Sequence, residues 1–437
     1  MKKTYQKNII ILAIILILCS PIISSKTITN IKEDENFQKT SDHEIIIDDR
    51  IIEILDKINE SMLQEHMKAL MKIGRRMTGT YGCEKAAKYI YEQFESMGLE
   101  TKFHNWTAFG DRYHKGFYKS QNVIATLPGK DESCNEIITF TAHYDSVRPG
   151  PGANDDGSGT CAVLVAAYVL SQYEFNRTIK FITVSGEEVG LLGSSEYAKR
   201  CYLNDDNILY EFNADMIGYA ITAKGGRNMG ISTTEDAGWI ANLFENITND
   251  YGMNFNIRHS DIDLEDRGWS DYYPFSRYGY EAIACWGGTD KDPNYHQPTD
   301  DYDNINFSFL VNTTRHIVGS MAYVADFNNP YPQIIIKNPK RGRLFYKDRP
   351  VIDFTYDKIV VIKDVHIYAE VKPGEAEIEK VEFYYDDKLE FTDTELPYEW
   401  GLDKKSIRKH KVKAVAYDTL GNTACDTIFF HYYHIRK

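Results

Sequence analysis

Short apolar runs alternate with helical patterns between residues 122 and 286, and this alternation constrains the fold more than any other feature of the sequence. The runs have the length of buried strands and are bounded by glycine, proline or polar residues. Strands are predicted over 122–127, 137–142, 179–184, 209–213 and 282–286, and helices over 160–173 and 194–200. The pattern is typical of an α/β domain with a mostly parallel central sheet flanked by helices.

Two helical patterns precede this sheet. Apolar residues repeat at three- and four-residue spacing from Ile51 to Met71, and a second pattern runs from Glu84 to Met97, just before Gly98. The sequence therefore predicts one long helix and one shorter helix before the first of these strands.

Acidic residues and histidines stand in five groups, four of which come directly after predicted strands or at a helix start. The groups are His143-Tyr144-Asp145, Asp155-Asp156, Glu187-Glu188, Asp215 and Tyr295-His296. Ligands bind beyond the carboxyl ends of the strands in open α/β sheets, so a parallel sheet brings these groups together. Carboxylates gathered in one pocket repel one another and are costly to bury, and a divalent metal ion removes that cost. A mixture of histidine and carboxylate ligands favours zinc.

The same residue types suit hydrolysis by two metal ions. Two zinc ions about 3.5–4 Å apart clamp both oxygens of a hydrolytic transition state, and a bound water then loses its proton near neutral pH. Of the adjacent residues Glu187 and Glu188, one can bind metal while the other acts as general base. The sequence has no Gly-x-Ser-x-Gly elbow, which fits the absence of a serine mechanism.

In order and context, the five groups resemble the zinc aminopeptidase family that includes the bacterial leucyl aminopeptidases. The resemblance runs from about Asp48 to Phe327. It implies the zinc exopeptidase fold and two Zn²⁺ per chain. The implied ligands of the first zinc are His143 and Asp215, those of the second are Glu188 and His296, and the bridge between them is Asp155.

The resemblance also implies roles for residues that do not bind metal. Glu187 is implied as the general base for a metal-bridged hydroxide, and Asp145 as the residue that orients the His143 imidazole. Tyr295 matches a tyrosine that stabilises the oxyanion in some members, although a packing tyrosine explains it almost as well. A cis peptide bond is implied between Asp155 and Asp156.

One stretch departs from the family pattern. Residues 267–275 resemble a segment that usually reads Ser-Asp-His, and Tyr272 stands here in place of the histidine. That position is not implied as a metal ligand, so the expected effect is on pocket shape and substrate preference. Arg267 is a candidate contact to a substrate carbonyl, although a surface salt bridge is the commoner role for such a residue.

These features predict a secreted zinc-dependent aminopeptidase whose partners are peptides or proteins with a free N-terminus. The net charge of −14 argues against nucleic acid as a partner. Three alternatives remain: a glutaminyl cyclase-like enzyme with one zinc, a carboxypeptidase, and a non-catalytic binding protein that keeps the fold. The complete ligand set argues most strongly against the last of these.

The two ends of the chain differ from the peptidase-like part, which is predicted to span 46–328. Residues 1–25 have lysines before an apolar run from Ile9 to Leu18, which predicts a signal peptide, with a retained N-terminal anchor that leaves the enzyme facing outward as the alternative. Residues 26–45 are polar and are predicted to be a linker.

After a breaker cluster at residues 329–332, short alternating runs predict a small all-β sandwich over 333–437. Its motifs, such as Val381-Glu-Phe-Tyr-Tyr and Val412-Lys-Ala-Val-Ala-Tyr, resemble bacterial immunoglobulin-like domains. The resemblance leaves two roles open: contact with the cell surface, or a passive spacer.

Overall fold

The computed structural model describes residues 45, 47–111, 113–266, 268–327, 329–354 and 357–435. The predicted signal peptide or anchor, all of the predicted linker except its last residue, and Arg267 lie outside the described residues. Within the described part, none of the helices combines the length and apolarity that a membrane crossing requires.

Helices and strands alternate through the described residues up to Asp326. The helices there are α1 (Asp49–Asp56), α2 (Glu60–Ile73), α3 (Tyr81–Ser96), α4 (Ser158–Leu170), α5 (Leu192–Leu203), α6 (Ile240–Asp250), α7 (Tyr272–Arg277) and α8 (Phe307–Asp326). The strands are β1 (Glu100–Phe109), β2 (Phe117–Leu127), β3 (Glu136–His143), β4 (Thr178–Val184), β5 (Asn207–Asp215), β6 (Asn228–Thr233), β7 (Asn256–Asp261) and β8 (Ala282–Trp286).

These strands form one eight-stranded sheet in the order β1-β2-β4-β3-β5-β8-β6-β7. The four central strands, β4, β3, β5 and β8, are parallel, as the sequence predicts. The pairs β1–β2, β2–β4 and β6–β8 are antiparallel, while β7 pairs with β6 in parallel, so the sheet is mixed outside its centre. The link between β1 and β2 is too short for a crossover helix, which explains why that pair is antiparallel.

Helices cover both faces of the sheet. Helix α4 is buried along nearly its whole length and packs in one core with α1, α2, α3, α6 and α8. Helices α5 and α7 cover the opposite face, where Tyr197 and Phe275 pack against Ile124 and Ile182. The first predicted helix is divided in two, because the Asn59 side chain accepts the N–H of Met62 and starts α2.

The described residues from 333 to 434 form an all-β part. The strands are β9 (Gln333–Asn338), β10 (Arg343–Tyr346), β11 (Arg349–Asp353), β12 (Ile359–Ile362), β13 (Val365–Lys372), β14 (Ile378–Tyr385), β15 (Lys388–Asp393), β16 (Glu399–Leu402), β17 (Ser406–Asp418) and β18 (Thr423–His434). They form a seven-stranded sheet, β11-β10-β12-β18-β17-β14-β15, and a three-stranded sheet, β16-β13-β9. Side chains of both sheets share a core around Ile367, Phe383 and Trp400, which makes this part a sandwich.

The sandwich packs on the α/β part through charged contacts. Arg277, at the end of α7, pairs with Asp357 at 2.6 Å, and Lys413 on β17 pairs with Glu235 at 2.6 Å. A buried pair, Arg341 with Asp426 at 2.7 Å, lies at the same junction, where the main-chain N–H of Arg341 donates to the Tyr202 hydroxyl. The likeness to immunoglobulin domains stays a prediction.

Candidate metal centre

The central parallel strands have their carboxyl ends on the same side of the sheet, and three of the five predicted groups lie there. His143 is the last residue of β3, Asp215 is the last of β5, and Glu187 follows β4 after a short turn. The turn needs Gly186, whose φ is +86° and where a Cβ atom would come within 2.8 Å of the Trp106 ring. Parallel strands thus bring together residues that are far apart in the sequence.

Asp155 enters the cluster from the turn that precedes α4. The Asp155–Asp156 peptide bond is cis, as predicted. The main-chain N–H groups of Asn154 and Asp155 donate to the two carboxylate oxygens of Asp300, at 2.7 and 3.1 Å. These bonds hold the turn so that the Asp155 side chain, which is only 5% exposed, lies among the other groups.

The predicted ligands divide into two sets that share Asp155. In the first set, His143 Nε2 lies 3.2 Å from Asp155 Oδ1 and 3.7 Å from Asp215 Oδ1. In the second set, His296 Nε2 lies 3.1 Å from Asp155 Oδ2 and 3.1 Å from Glu188 Oε2. The two oxygens of Asp155 therefore face two different imidazoles, which is the arrangement of a bridging carboxylate.

Several of these atoms are buried without a hydrogen bond. Among the described residues, no hydrogen-bond partner is found for His143 Nε2, Asp155 Oδ2, Glu188 Oε1 or Asp215 Oδ1. Buried polar atoms are nearly always paired, and unpaired ones cost free energy. Atoms that approach closely without hydrogen-bond geometry are what a shared cation produces, so the donor set fits divalent metal ions with nitrogen and oxygen ligands.

Asp156 is close to the same atoms, but its carboxylate accepts hydrogen bonds from the main chain. Candidate ligand atoms within 4.8 Å of one another form two overlapping trios, His143-Asp155-Glu188 and His143-Asp156-Asp215. The carboxylate of Asp156, however, accepts the N–H groups of Gly159 at 2.8 Å, His143 at 3.2 Å and Met216 at 3.3 Å. Because both oxygens of Asp156 already accept hydrogen bonds, Asp155 is the better candidate metal ligand of the two.

The charges within the cluster shift the pKa values of its members. Burial alone would lower the pKa of His143, but Asp145, Asp155 and Asp215 outweigh it and raise that pKa well above its usual value. Burial likewise opposes the effect of Asp155 and Glu188 on His296, whose pKa rises to about 10. Burial raises the pKa of Glu188 to about 7, with help from the Asp155 charge.

Two further polar candidates, Asp145 and Glu187, lie next to the predicted ligands. Asp145 is fully buried, and the Nδ1 atom of His143 lies 3.6 Å from its carboxylate and 3.2 Å from its main-chain oxygen. Nδ1 thus faces Asp145 while Nε2 faces the cluster, which is the orientation expected of a metal-bound imidazole. Burial raises the pKa of Glu187 well above its usual value, and the neighbouring Glu188 charge adds to this effect.

Tyr295 lies at the rim of the cluster. It is half-exposed, and its ring stacks on that of His296 with 3.8 Å between centroids. Packing of Tyr295 on His296 is therefore established, and a role in stabilising an oxyanion stays a prediction. Tyr272, the departure from the family pattern, is buried with its ring edge-on to Trp286 at 5.5 Å.

Sequence reasoning missed several residues around the cluster. Asp300 holds the Asp155 turn, and Asp271 at the start of α7 is fully buried, with a pKa that burial raises to about 7. Arg76 and Thr78 also reach the cluster from the loop between α2 and α3. Only Asp271 had a signal, since it belongs to the Ser-Asp pair before Tyr272.

Comparisons with known proteins agree with this geometry. Residues 122–321 match the model of "Peptidase family M28". Aminopeptidase YwaD of Bacillus subtilis is 32% identical over 237 residues, which cover 51% of this chain and 48% of that protein. The chain spans about half the length of the curated relatives that it matches. The resemblance to zinc aminopeptidases is confirmed.

Solved structures show the same fold. A zinc aminopeptidase from Bacillus subtilis superposes with a TM-score of 0.53 and 18% identity, over 62% of this chain and 95% of that one. A glutaminyl cyclase from Fimbriiglobus ruber superposes with a TM-score of 0.53 and 16% identity, over 61% of this chain and 95% of that one. At these identities the likeness establishes the α/β fold alone.

Proposed function

We propose that this chain, which carries a peptidase family M28 segment over residues 122–321, is a zinc-dependent aminopeptidase that removes single residues from the N-terminus of peptides. The observation that carries the proposal is Asp155, whose two carboxylate oxygens face the imidazoles of His143 and His296. A bridging carboxylate between two histidine-containing sets suits two metal ions in one site.

Each zinc ion would have its own ligands besides the shared Asp155. His143 and Asp215 would hold one ion, and Glu188 and His296 would hold the other. Bound zinc supplies positive charge that polarises a carbonyl group and makes a nearby water more acidic. Asp145 holds the His143 imidazole with Nε2 toward the cluster and so fixes the direction of that ligand.

Glu187 is the proposed general base. The residue stands next to the ligand Glu188, and its main-chain N–H lies 3.4 Å from the Asp145 carboxylate. The Glu187 carboxylate would take a proton from the attacking water and return it to the leaving amine. The acidic surroundings would favour substrates with a free, positively charged amino group over acetylated ones.

We also propose that the enzyme is secreted and acts on extracellular peptides. The lysines and the apolar run of residues 1–25 support this proposal. For the sandwich, contact with a cell surface and a passive spacer remain the two candidate roles.

The test compares wild-type protein with Glu187→Gln on leucine anilide, N-acetyl-leucine anilide and glutamine anilide. Glu196→Gln, on α5 outside the cluster, is the matched control. We expect cleavage of the free-amine anilides only, and a loss of about 10²- to 10⁴-fold in kcat for Glu187→Gln with zinc still bound. Cleavage of the acetylated substrate, or cyclisation of glutamine as the only reaction, would overturn the proposal.

A further inference from the structure

The loop between α2 and α3 reaches the back of the candidate metal centre. This loop, residues 74–80, lies outside the segment that matches the peptidase family. Two of its residues are buried: Arg76 is 0% exposed and Thr78 is 7% exposed. Both contact the elements that carry the proposed ligands.

Thr78 contacts the carboxylate behind His143. Its hydroxyl donates to Asp145 Oδ2 at 2.6 Å. The other oxygen of the same carboxylate lies 3.6 Å from His143 Nδ1 and 3.4 Å from the main-chain nitrogen of Glu187. One buried carboxylate therefore joins Thr78 to a proposed ligand and to the proposed base.

Arg76 holds the main chain on either side of that carboxylate. Its guanidinium donates to the carbonyl oxygens of Tyr144 at 2.6 Å and Gly152 at 2.8 Å, and also to that of Pro151. Tyr144 directly follows His143, and Gly152 begins the turn that carries Asp155. The guanidinium thus ties together the two segments that present these ligands.

We propose that Thr78 is a positioning residue for the metal site, which acts through Asp145 while Arg76 holds the surrounding main chain. The proposal rests on the proposed zinc function. A carboxylate behind a metal-bound imidazole fixes the ring and makes it a stronger ligand, and loss of such support typically weakens metal binding 10- to 100-fold. Without the Thr78 hydroxyl, Asp145 Oδ2 would lose its short hydrogen bond inside the protein, and the carboxylate would turn away from His143.

The experiment measures zinc affinity by competition with a chromophoric chelator, so it does not depend on catalysis. Thr78→Val removes the hydroxyl and keeps the shape, and Thr78→Ala removes it without any added bulk, in case valine disturbs folding. Thr78→Ser keeps the hydroxyl. The matched control is Thr80→Val, because the Thr80 hydroxyl donates only to the Met77 carbonyl at an exposed position.

We expect Thr78→Val and Thr78→Ala to weaken zinc binding about 10- to 100-fold, with Thr78→Ser and Thr80→Val close to wild type. The absorption spectrum of the Co²⁺-substituted protein should change with the same variants, since it reports ligand geometry. A purely structural role would lower the melting temperature of Thr78→Val and Thr78→Ala and leave zinc affinity unchanged, which would overturn the proposal.

The outcomes also separate this proposal from the proposed function. If Thr78→Val weakens zinc binding but the wild-type protein cleaves no free-amine substrate, the positioning role is supported and the aminopeptidase proposal is overturned. Wild-type protein that binds no zinc would remove both.

Discussion

Two of the sites where the molecule buries charged side chains differ in how the charge is balanced. At the junction with the sandwich, Arg341 pairs with Asp426 at 2.7 Å, and the second oxygen of Asp426 accepts the N–H of Ile336 at 2.7 Å. At the carboxyl ends of the central strands, Asp155 and Asp215 are also buried but have oxygens without a hydrogen bond among the described residues. The Arg341–Asp426 pair is balanced in charge and fully hydrogen-bonded, whereas the cluster is rich in negative charge and has unpaired oxygens.

This difference distinguishes a buried ion pair that supports the fold from a buried charge cluster that suits ligand binding. A buried ion pair whose hydrogen bonds are complete needs nothing more from its surroundings. A buried cluster of carboxylates without hydrogen-bond or charge partners is unfavourable to folding, and such a cluster is typical of a binding site whose ligand balances the charge. We therefore expect the two regions to respond in opposite ways to metal, substitution and pH.

The largest expected effect is on activity after metal removal. Dialysis against a strong chelator should abolish peptide hydrolysis, because the metal supplies the charge that the proposed reaction needs. Far-ultraviolet circular dichroism should show unchanged secondary structure, because the Arg341–Asp426 pair and the cores do not depend on metal. Added zinc should restore the rate. Activity that survives complete removal of metal would show that the cluster, like the Arg341–Asp426 pair, does not need a metal ion.

The next effect is on folding. Arg341→Met should lower the free energy of unfolding by about 3–5 kcal/mol, because it leaves the Asp426 charge buried without its partner. Urea denaturation of the metal-free chain measures this loss. Replacement of both partners, as Arg341→Met with Asp426→Leu, should recover most of it. Zinc affinity should not change in either variant, and a shared loss would show that the regions are coupled.

A smaller effect concerns pH at the junction. Asp236 accepts the N–H of Cys425 at 2.6 Å, and burial raises its pKa to about 7. The pKa of an unfolded aspartate is about 3.9, so the folded chain binds more protons between these values and its stability falls as pH rises from about 4 to 7. Asp236→Asn should remove about 2–3 kcal/mol of this fall between pH 5 and pH 8, since one pKa unit corresponds to about 1.4 kcal/mol. Denaturation midpoints at pH 5 and pH 8 provide the measurement, and an unchanged slope would contradict the assignment.

The smallest effect has the opposite sign in the two regions. Asp215→Asn should stabilise the metal-free chain by about 0.5–2 kcal/mol, because it removes one charge from an incomplete cluster. Asp426→Asn should destabilise it, because Arg341 then lacks its counter-charge. Thermal unfolding of both variants without metal tests the contrast. If both variants lose stability by similar amounts, the repulsion between the carboxylates of the cluster does not destabilise the fold.

The sequence predicts the part of the site that lies at strand ends. His143, Glu187, Glu188 and Asp215 directly follow or end apolar runs, and the parallel order of the central strands then brings them together. The roles of these residues remain predictions, while their proximity is established. His296 lies on a loop after the last of these strands, and its assignment to the second zinc comes from the family resemblance.

Other features depend on tertiary structure and left little trace in the sequence. Strand β1 is exposed along one edge of the sheet, so it lacks the apolar run of a buried strand. Arg76 acts through main-chain carbonyls, whose positions no pattern of residue types encodes. The antiparallel pairing of β1 with β2 follows from the short link between these strands, which hydrophobic periodicity does not encode.

The number of zinc ions bound per chain, measured by equilibrium dialysis and elemental analysis, tests the central claim most directly. Wild-type protein should bind two, and Asp155→Asn should bind no more than one, because Asp155 is the carboxylate that both sets share. Wild-type protein that binds no zinc, or an Asp155→Asn variant that still binds two ions as tightly, would contradict the account.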